Sequence, residues 1–188
     1  MKRVIAMVTV FLFCSVLLGT HFEDFVREAG NELAGRINTA IPLKVVLDNS
    51  DEQIQQAPGT ARMHGFIREL LDSELERSEI LNPLDMTRTD PILQDLAGTS
   101  RDYNFFNELG RKIHQDMNVT IDALLEIRIT DMGKTLKLEL RLIDAITATD
   151  LAVVKKEYTA DRQTNQLLGK PIAEKPEHGP NKPNKTFA

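Results

Sequence analysis

An α/β domain of the α+β kind, a mixed sheet of about five strands with helices packed on it and a C-terminal antiparallel meander, is what this chain predicts. Three observations lead there. Ile121, Ala123, Leu125, Ile127 and Ile129 alternate with Asp122, Glu126, Arg128 and Thr130, the period of two that marks a strand with one buried face. Leu136, Leu138, Leu140 and Leu142 repeat that period after Asp131-Met132-Gly133-Lys134, so the two strands form a hairpin, with Gly133 free to take positive φ. Upstream, segments of helical period alternate with short apolar runs, which favours parallel pairing before the terminal meander.

Taken in order, the chain opens with Lys2 and Arg3 before the apolar run Val4 to Leu18, the charged and hydrophobic regions of an export signal. Residues 1–20 are therefore expected to be a signal peptide, or an N-terminal anchor giving a membrane tether through residues 4–18 if the leader is retained. Cys14, the single cysteine, follows Phe13 and reads as one more small apolar residue of that run. Thr20 and Glu23 have capping-box spacing, and Phe22, Phe25, Val26, Ala29, Leu33, Ile37 and Ile41 predict an amphipathic helix ending before Pro42. Leu43 to Asp48 reads as a buried strand and Asn49 to Gly59 as a loop.

Thr60 is the expected cap of a second helix with Met63, Phe66, Ile67, Leu70, Leu71 and Leu75 on its inner stripe and Arg68 among the charges outside. His64 is assigned to that solvated side. A brief strand precedes Pro83, and Asp85 to Thr99 reads as a loop with one helical turn at Ile92 to Leu96. Ser100 or Asp102 caps a third helix, whose Phe106, Leu109, Ile113 and Met117 face inward and which Asn118 ends. After the hairpin, Asp144 to Asp150 connects to a last strand, Leu151 to Thr159. The expected single domain spans 21–169, and 170–188, rich in Pro, Lys and Asn, reads as a disordered tail.

Composition narrows the functional classes. A net charge of -5, with 5% aromatic residues and no Trp, gives neither the basic footprint nor the stacking platforms that nucleic acid requires. No phosphate loop, HExxH helix, CxxC pair or nucleophile elbow occurs, so no catalytic residue, metal or cofactor is assigned and an enzyme is not expected. His21, His64, His114 and His178 lack the spacing of a helical metal site.

The candidate contact residues are Glu126, Arg128, Lys137, Glu139 and Arg141 on one face of the hairpin, with Asp144 and Asp150 at its exit. Pairing Asp131 with Lys134 would place Arg128 opposite Lys137 and Glu126 opposite Glu139, so either the loop is longer or the diagonals balance the charge. Asp48 and Asp144 each end a strand, where carboxylates form turns and in some α/β sheets bind ligands.

The order of elements, with Leu70 to Ser78 in one helix, Leu109-Gly110 in another and LRLIDAIT at Leu140 to Thr147, resembles the TolB N-terminal-like, FlgO and CsgG-like envelope modules over about residues 30–160. Ala148-Thr149 stands where those families carry a turn glycine. The resemblance implies a non-enzymatic bacterial protein of the periplasm or outer membrane. It would meet an envelope protein partner in a secretion, flagellar, Tol-type or peptidoglycan-synthase regulation setting. The alternative is a periplasmic small-molecule or glycan-binding domain using the strand ends at Asp48 and Asp144.

Overall fold

A computed structural model describes residues 21–48 and 58–171. The expected leader with Thr20, most of the loop from Asn49, and nearly all of the tail lie outside the described residues.

Helix α1, Phe22–Gly35, follows His21 and buries Phe22, Phe25, Val26, Ala29 and Leu33. It stops well before Pro42. Thr39 Oγ1 accepts from the Ile41 amide and donates to the Ile41 carbonyl, a local bond that competes with helix, and Ile41 is left 74% exposed. Strand β1, Leu43–Asp48, is buried over its last four residues. Helix α2, Pro58–Arg77, begins two residues before the expected cap, so Pro58 and Gly59 belong to it. Proline suits a first turn, where its missing N–H has no partner to lose.

Met63, Ile67, Leu71 and Leu75 form the inner stripe of α2 as expected, with Phe66 and Leu70 partly buried beside them. The expectation that His64 and Arg68 face water is overturned. His64 is 1% and Arg68 5% exposed, and they stand three or seven residues from Ile67, Leu71 and Leu75, on the same covered side of α2. Arg68 Nη1 donates to Asp90 Oδ2 at 2.8 Å, and its Nη2 pairs with the other oxygen.

Asp90 lies in α3, Met86–Asp95, which follows the short strand β2, Leu81–Pro83. The loop expected there is a helix capped by Asp85, whose side chain accepts from the Thr87 amide at 2.9 Å. Pro91 inside it hid the element. Helix α4, Tyr103–Met117, is capped by Asp102 through the Asn104 and Phe105 amides and ends at Asn118 in the left-handed region, φ 54°.

Strands β3, Ala123–Asp131, β4, Thr135–Asp144, and β5, Asp150–Thr159, form the expected meander. A last helix, α5, Arg162–Leu167, is closed by an Asp161–Thr164 capping box.

The sheet order is β2-β1-β3-β4-β5, with β1 parallel to β2 and β3 and the last three strands antiparallel, so the mixed α+β class holds. One face carries the main core. Leu136, Leu138, Leu140 and Leu142 are each 2% exposed or less, packed with the inner stripes of α1 and α2. Each contributes roughly 1.5–3 kcal/mol of burial. On the other face, Val46, Leu124 and Ile143 meet Leu93, Leu96, Phe105, Phe106, Leu109 and Ile113 of α3 and α4. That second cluster covers β1 and the start of β3, so the half-buried strand expected from Ile121 is buried on both faces where it begins.

Candidate functional site

Beyond the second cluster the sheet face bears charge. The hairpin register decides its pattern: Asp131 pairs with Leu136, two positions further along than the tight turn would give. The connection Met132 to Thr135 is closed by Met132 N–H to Thr135 O at 2.9 Å and by Gly133 N–H to Asp131 Oδ1 at 2.8 Å, with Gly133 at φ 87°. The longer loop slides β4 so that Glu126 stands opposite Arg141, and Arg128 opposite Glu139. Like charges are thereby exchanged for unlike pairs directly across the strands.

Three rows result. In the first, Glu126 accepts from Arg141 Nη1 at 3.0 Å and from Arg128 Nη2 at 2.8 Å, and Arg141 Nη2 reaches Asp150 at 2.9 Å. In the second, Arg128, Glu139 and Lys155 lie side by side, with Lys155 Nζ 3.3 Å from Glu139. The third is Thr130, Lys137 and Glu157. Arg128, Lys155 and Glu157 are exposed, while the Glu126 side chain keeps only 12% of its surface. Glu126, Arg128, Glu139, Arg141, Asp150 and Lys155 are thus held in ion pairs on this face, and the face as a whole is close to neutral.

Six of the seven residues singled out in the sequence meet on this face: Glu126, Arg128, Lys137, Glu139, Arg141 and Asp150. Asp144 does not. Its Oδ1 accepts from the Ile146 and Thr147 amides at 2.8 and 2.7 Å and from the Thr147 hydroxyl at 3.0 Å, which makes it the anchor of the β4–β5 turn. Burial works against its ionisation, but those N–H and O–H donors hold its carboxyl below the usual range. Lys155 and Glu157 complete the rows and were missed. Their signal was the alternation of Val153, Lys155 and Glu157 in the last strand.

Asp48 extends the first row from β1, beside Glu126. It is 4% exposed and takes Arg101 through Nε and Nη2 at 3.0 and 2.7 Å, while the Arg101 guanidinium stacks 4.1 Å from the Phe105 ring centre. Asp48 and Asp144 do not converge. Strand β4 runs antiparallel to β1, so Asp144 ends it beside Ala123 while Asp48 lies three residues further along β3 and on its other side, about 14 Å away. The strand ends proposed for a small ligand are therefore separate places.

Two depressions flank α4. An open groove of about 710 Å³ between α3 and α4 is lined by Thr87, Pro91 and Ile92 and spanned by Arg88–Asp116 at 3.1 Å and by a Lys112–Asp95 pair. The other, about 290 Å³, lies between α4 and the β4–β5 connection and includes Tyr103, Phe106 and Ile146. Among the described residues, no group of three or more His, Cys, Asp or Glu is arranged to hold a metal ion, and no helix is long and apolar enough to cross a membrane.

The class defined by this geometry is an α+β domain whose mixed sheet is fully covered on one face and part-covered on the other. Its fold is shared with the LpoB C-terminal domain from Escherichia coli, at a TM-score of 0.51 and 11% identity over 72% of this chain and 96% of that one. The same domain from Salmonella enterica gives 0.45 at 12% identity over 72% and 98%, and a lipoprotein from Neisseria meningitidis gives 0.42 at 16% over 65% and 84%. No protein-family model and no curated protein matches the chain.

Proposed function

We propose that this chain is an exported, non-enzymatic protein-interaction or assembly module of the bacterial cell envelope, and that its partner docks on the charged face of β3, β4 and β5. The observation that carries the reading is the shared Glu126 carboxylate, held between Arg128 and Arg141 while Arg141 continues to Asp150. Charges fixed in this way give a partner a pattern to match without the cost of ordering long side chains, and complementary patterns set specificity and register more than raw affinity. The charged leader and apolar run support export. The fold shared with the LpoB C-terminal domain and the resemblance to TolB-like, FlgO and CsgG-like modules support an envelope setting, in which secretion, flagellar, Tol-type and peptidoglycan-synthase regulation systems are the candidates.

Photo-crosslinking residues placed at Arg128, Glu139 and Lys155 in cells test this, with Glu76, exposed on α2, as the control position. A discrete adduct in the envelope fraction from the three face positions, lost in Arg141→Glu, is expected. Equal crosslinking from Glu76, or recovery only in cytosol with the leader intact, would overturn the reading.

A further inference from the structure

The depression between α4 and the β4–β5 connection is separate from the three charged rows and has a different chemistry. Its helical wall is one stripe of α4: Tyr103, Phe106, Gly110, Arg111 and His114 all line it. A stripe from Tyr103 to His114 runs about 16 Å at 1.5 Å per residue, the length of roughly five residues of extended chain. The other wall includes Ile146, from the turn that Asp144 anchors.

Three features set this groove apart. Tyr103 is 60% and Ile146 75% exposed, two large apolar side chains left in water at one spot. Between the apolar and cationic ends of the stripe sits Gly110. A Cβ built there meets nothing within 4 Å among the described residues, so no packing among them calls for glycine. Glycine in a helix interior costs about 0.5–1 kcal/mol against alanine, and what it supplies here is an unobstructed groove wall.

The third feature is charge. Among the described residues the basic groups lining the groove are Arg111 and His114, and no carboxylate lines it. Glu108, outside the lining, holds Arg111 through Nε at 2.9 Å and through Nη2, and Gln115 takes Nη1 at 2.8 Å. Three of the five guanidinium N–H donors are engaged, which fixes the group and leaves two for a ligand.

We infer that this groove binds an extended segment of a partner protein that carries a bulky apolar residue and, two or three positions away, a carboxylate. The apolar residue enters between Tyr103, Phe106 and Ile146. The carboxylate meets Arg111 and His114, since Phe106 and Arg111 are five residues apart on the helix, about 7.5 Å, close to two residues of extended chain. The inference rests on the interaction-module reading but uses its own surface.

The test needs only the purified full chain, labelled with 15N, and fluorescein-tagged synthetic hexapeptides bearing Phe, Leu or Ile with Glu two or three positions later. Saturable binding is expected, with the largest amide shifts at Gly110 and Ile146. Exchange of the apolar residue for Ser, or of Glu for Lys, should weaken binding at least tenfold, as should Arg111→Glu with His114→Glu. Ile146→Asp, an exposed change that leaves the fold intact, should do the same. Unmoved Gly110 and Ile146 resonances at millimolar peptide, or Lys peptides binding as tightly as Glu peptides, would overturn the assignment. Either result is independent of crosslinking from Arg128 and Lys155, so the groove and the charged face stand or fall separately.

Discussion

Gly59, the second residue of α2, lies against the backbone of Leu168 at the end of α5: a Cβ on Gly59 would stand 2.0 Å from the Leu168 carbonyl oxygen and 2.5 Å from its carbon. Backbone cannot yield as a side-chain tip can. Gly59→Ala should therefore displace α5 and cost about 1–3 kcal/mol, the range for forcing atoms into filled space. Gly65→Ala, six residues on in the same helix, meets nothing within 4 Å among the described residues and should stabilise by about 0.5–1 kcal/mol. Urea titration of the two variants should give shifts of opposite sign. Limited trypsin digestion should cut faster after Arg162 in the first.

Ala148 takes φ 56°, the left-handed region, in the turn whose ends are tied by Asp144 N–H to Thr149 O at 2.9 Å and Ala148 N–H to Asp144 O at 3.0 Å. The backbone here keeps the conformation that glycine favours. An L side chain in that region costs about 1–2 kcal/mol. Ala148→Gly relieves that cost but loses a methyl packed on the second cluster and gains unfolded-state entropy. A net gain of about 0.5–1 kcal/mol in urea titration is expected, whereas Ala148→Val should destabilise.

That turn also shows what the sequence could and could not convey. Alternation found β3, β4 and β5 because their leucine face meets one continuous core, and the strand–helix order gave the parallel half of the sheet. Register was harder, since it depends on the number of residues the loop consumes; Asp131-Met132-Gly133-Lys134 fits a tight turn as well as the longer one. The like-charge pairs of the tight turn were the clue to the right answer. Helix α3 was hidden by Pro91, although Thr89, Leu93 and Leu96, buried at helical intervals, carried its signal. His64 and Arg68 were misplaced for another reason. Both stand at helical intervals from Ile67, Leu71 and Leu75, so the periodicity of α2 puts them on its inner stripe; polarity was read as exposure, and the Asp90 partner that makes burial of Arg68 tolerable comes from another helix.

Arg68 and Asp90 form the link between α2 and α3, and so help to hold the α3–α4 unit that carries Arg101 and both grooves. Arg68 is nearly sealed, and among the described residues its Nε is buried with no hydrogen-bond partner, so the two contacts to Asp90 carry the hydrogen bonding of the guanidinium. Asp90→Ala should cost about 2 kcal/mol, because a buried cation loses its counter-charge. Removing both charges in Arg68→Met with Asp90→Ala should recover a good part of that loss, since replacing a buried pair by apolar groups is often close to neutral. A double-mutant cycle in urea checks the coupling; additive effects would show that the pair does not hold the helices together.

Two carboxylates in α2 should move stability with pH in opposite directions. Burial disfavours the charged form of Glu74, but hydrogen bonds from Arg27 Nη1 and Asn31 Nδ2, both at 3.0 Å, outweigh it and hold the carboxyl below its usual value. Asp72 is pushed up, first by burial and then by the neighbouring charge of Glu76, against a smaller pull from Arg68. A lowered folded pKa means that the unfolded chain takes up the proton first. The contribution of Glu74 is therefore complete above its unfolded pKa and is lost as pH falls through the folded one. For Asp72 the folded chain takes up the proton first, so its ionised form is a liability at neutral pH that is relieved as pH falls through the raised value. Glu74→Gln should destabilise the protein at pH 7, with the difference from wild type narrowing as pH falls below the ordinary glutamate range. Asp72→Asn should stabilise at pH 7 and lose that advantage as pH falls from the raised value of Asp72 toward the ordinary aspartate range. Chemical denaturation across pH 3–7 checks both, and parallel pH profiles for the two variants would contradict the assignment of opposite shifts.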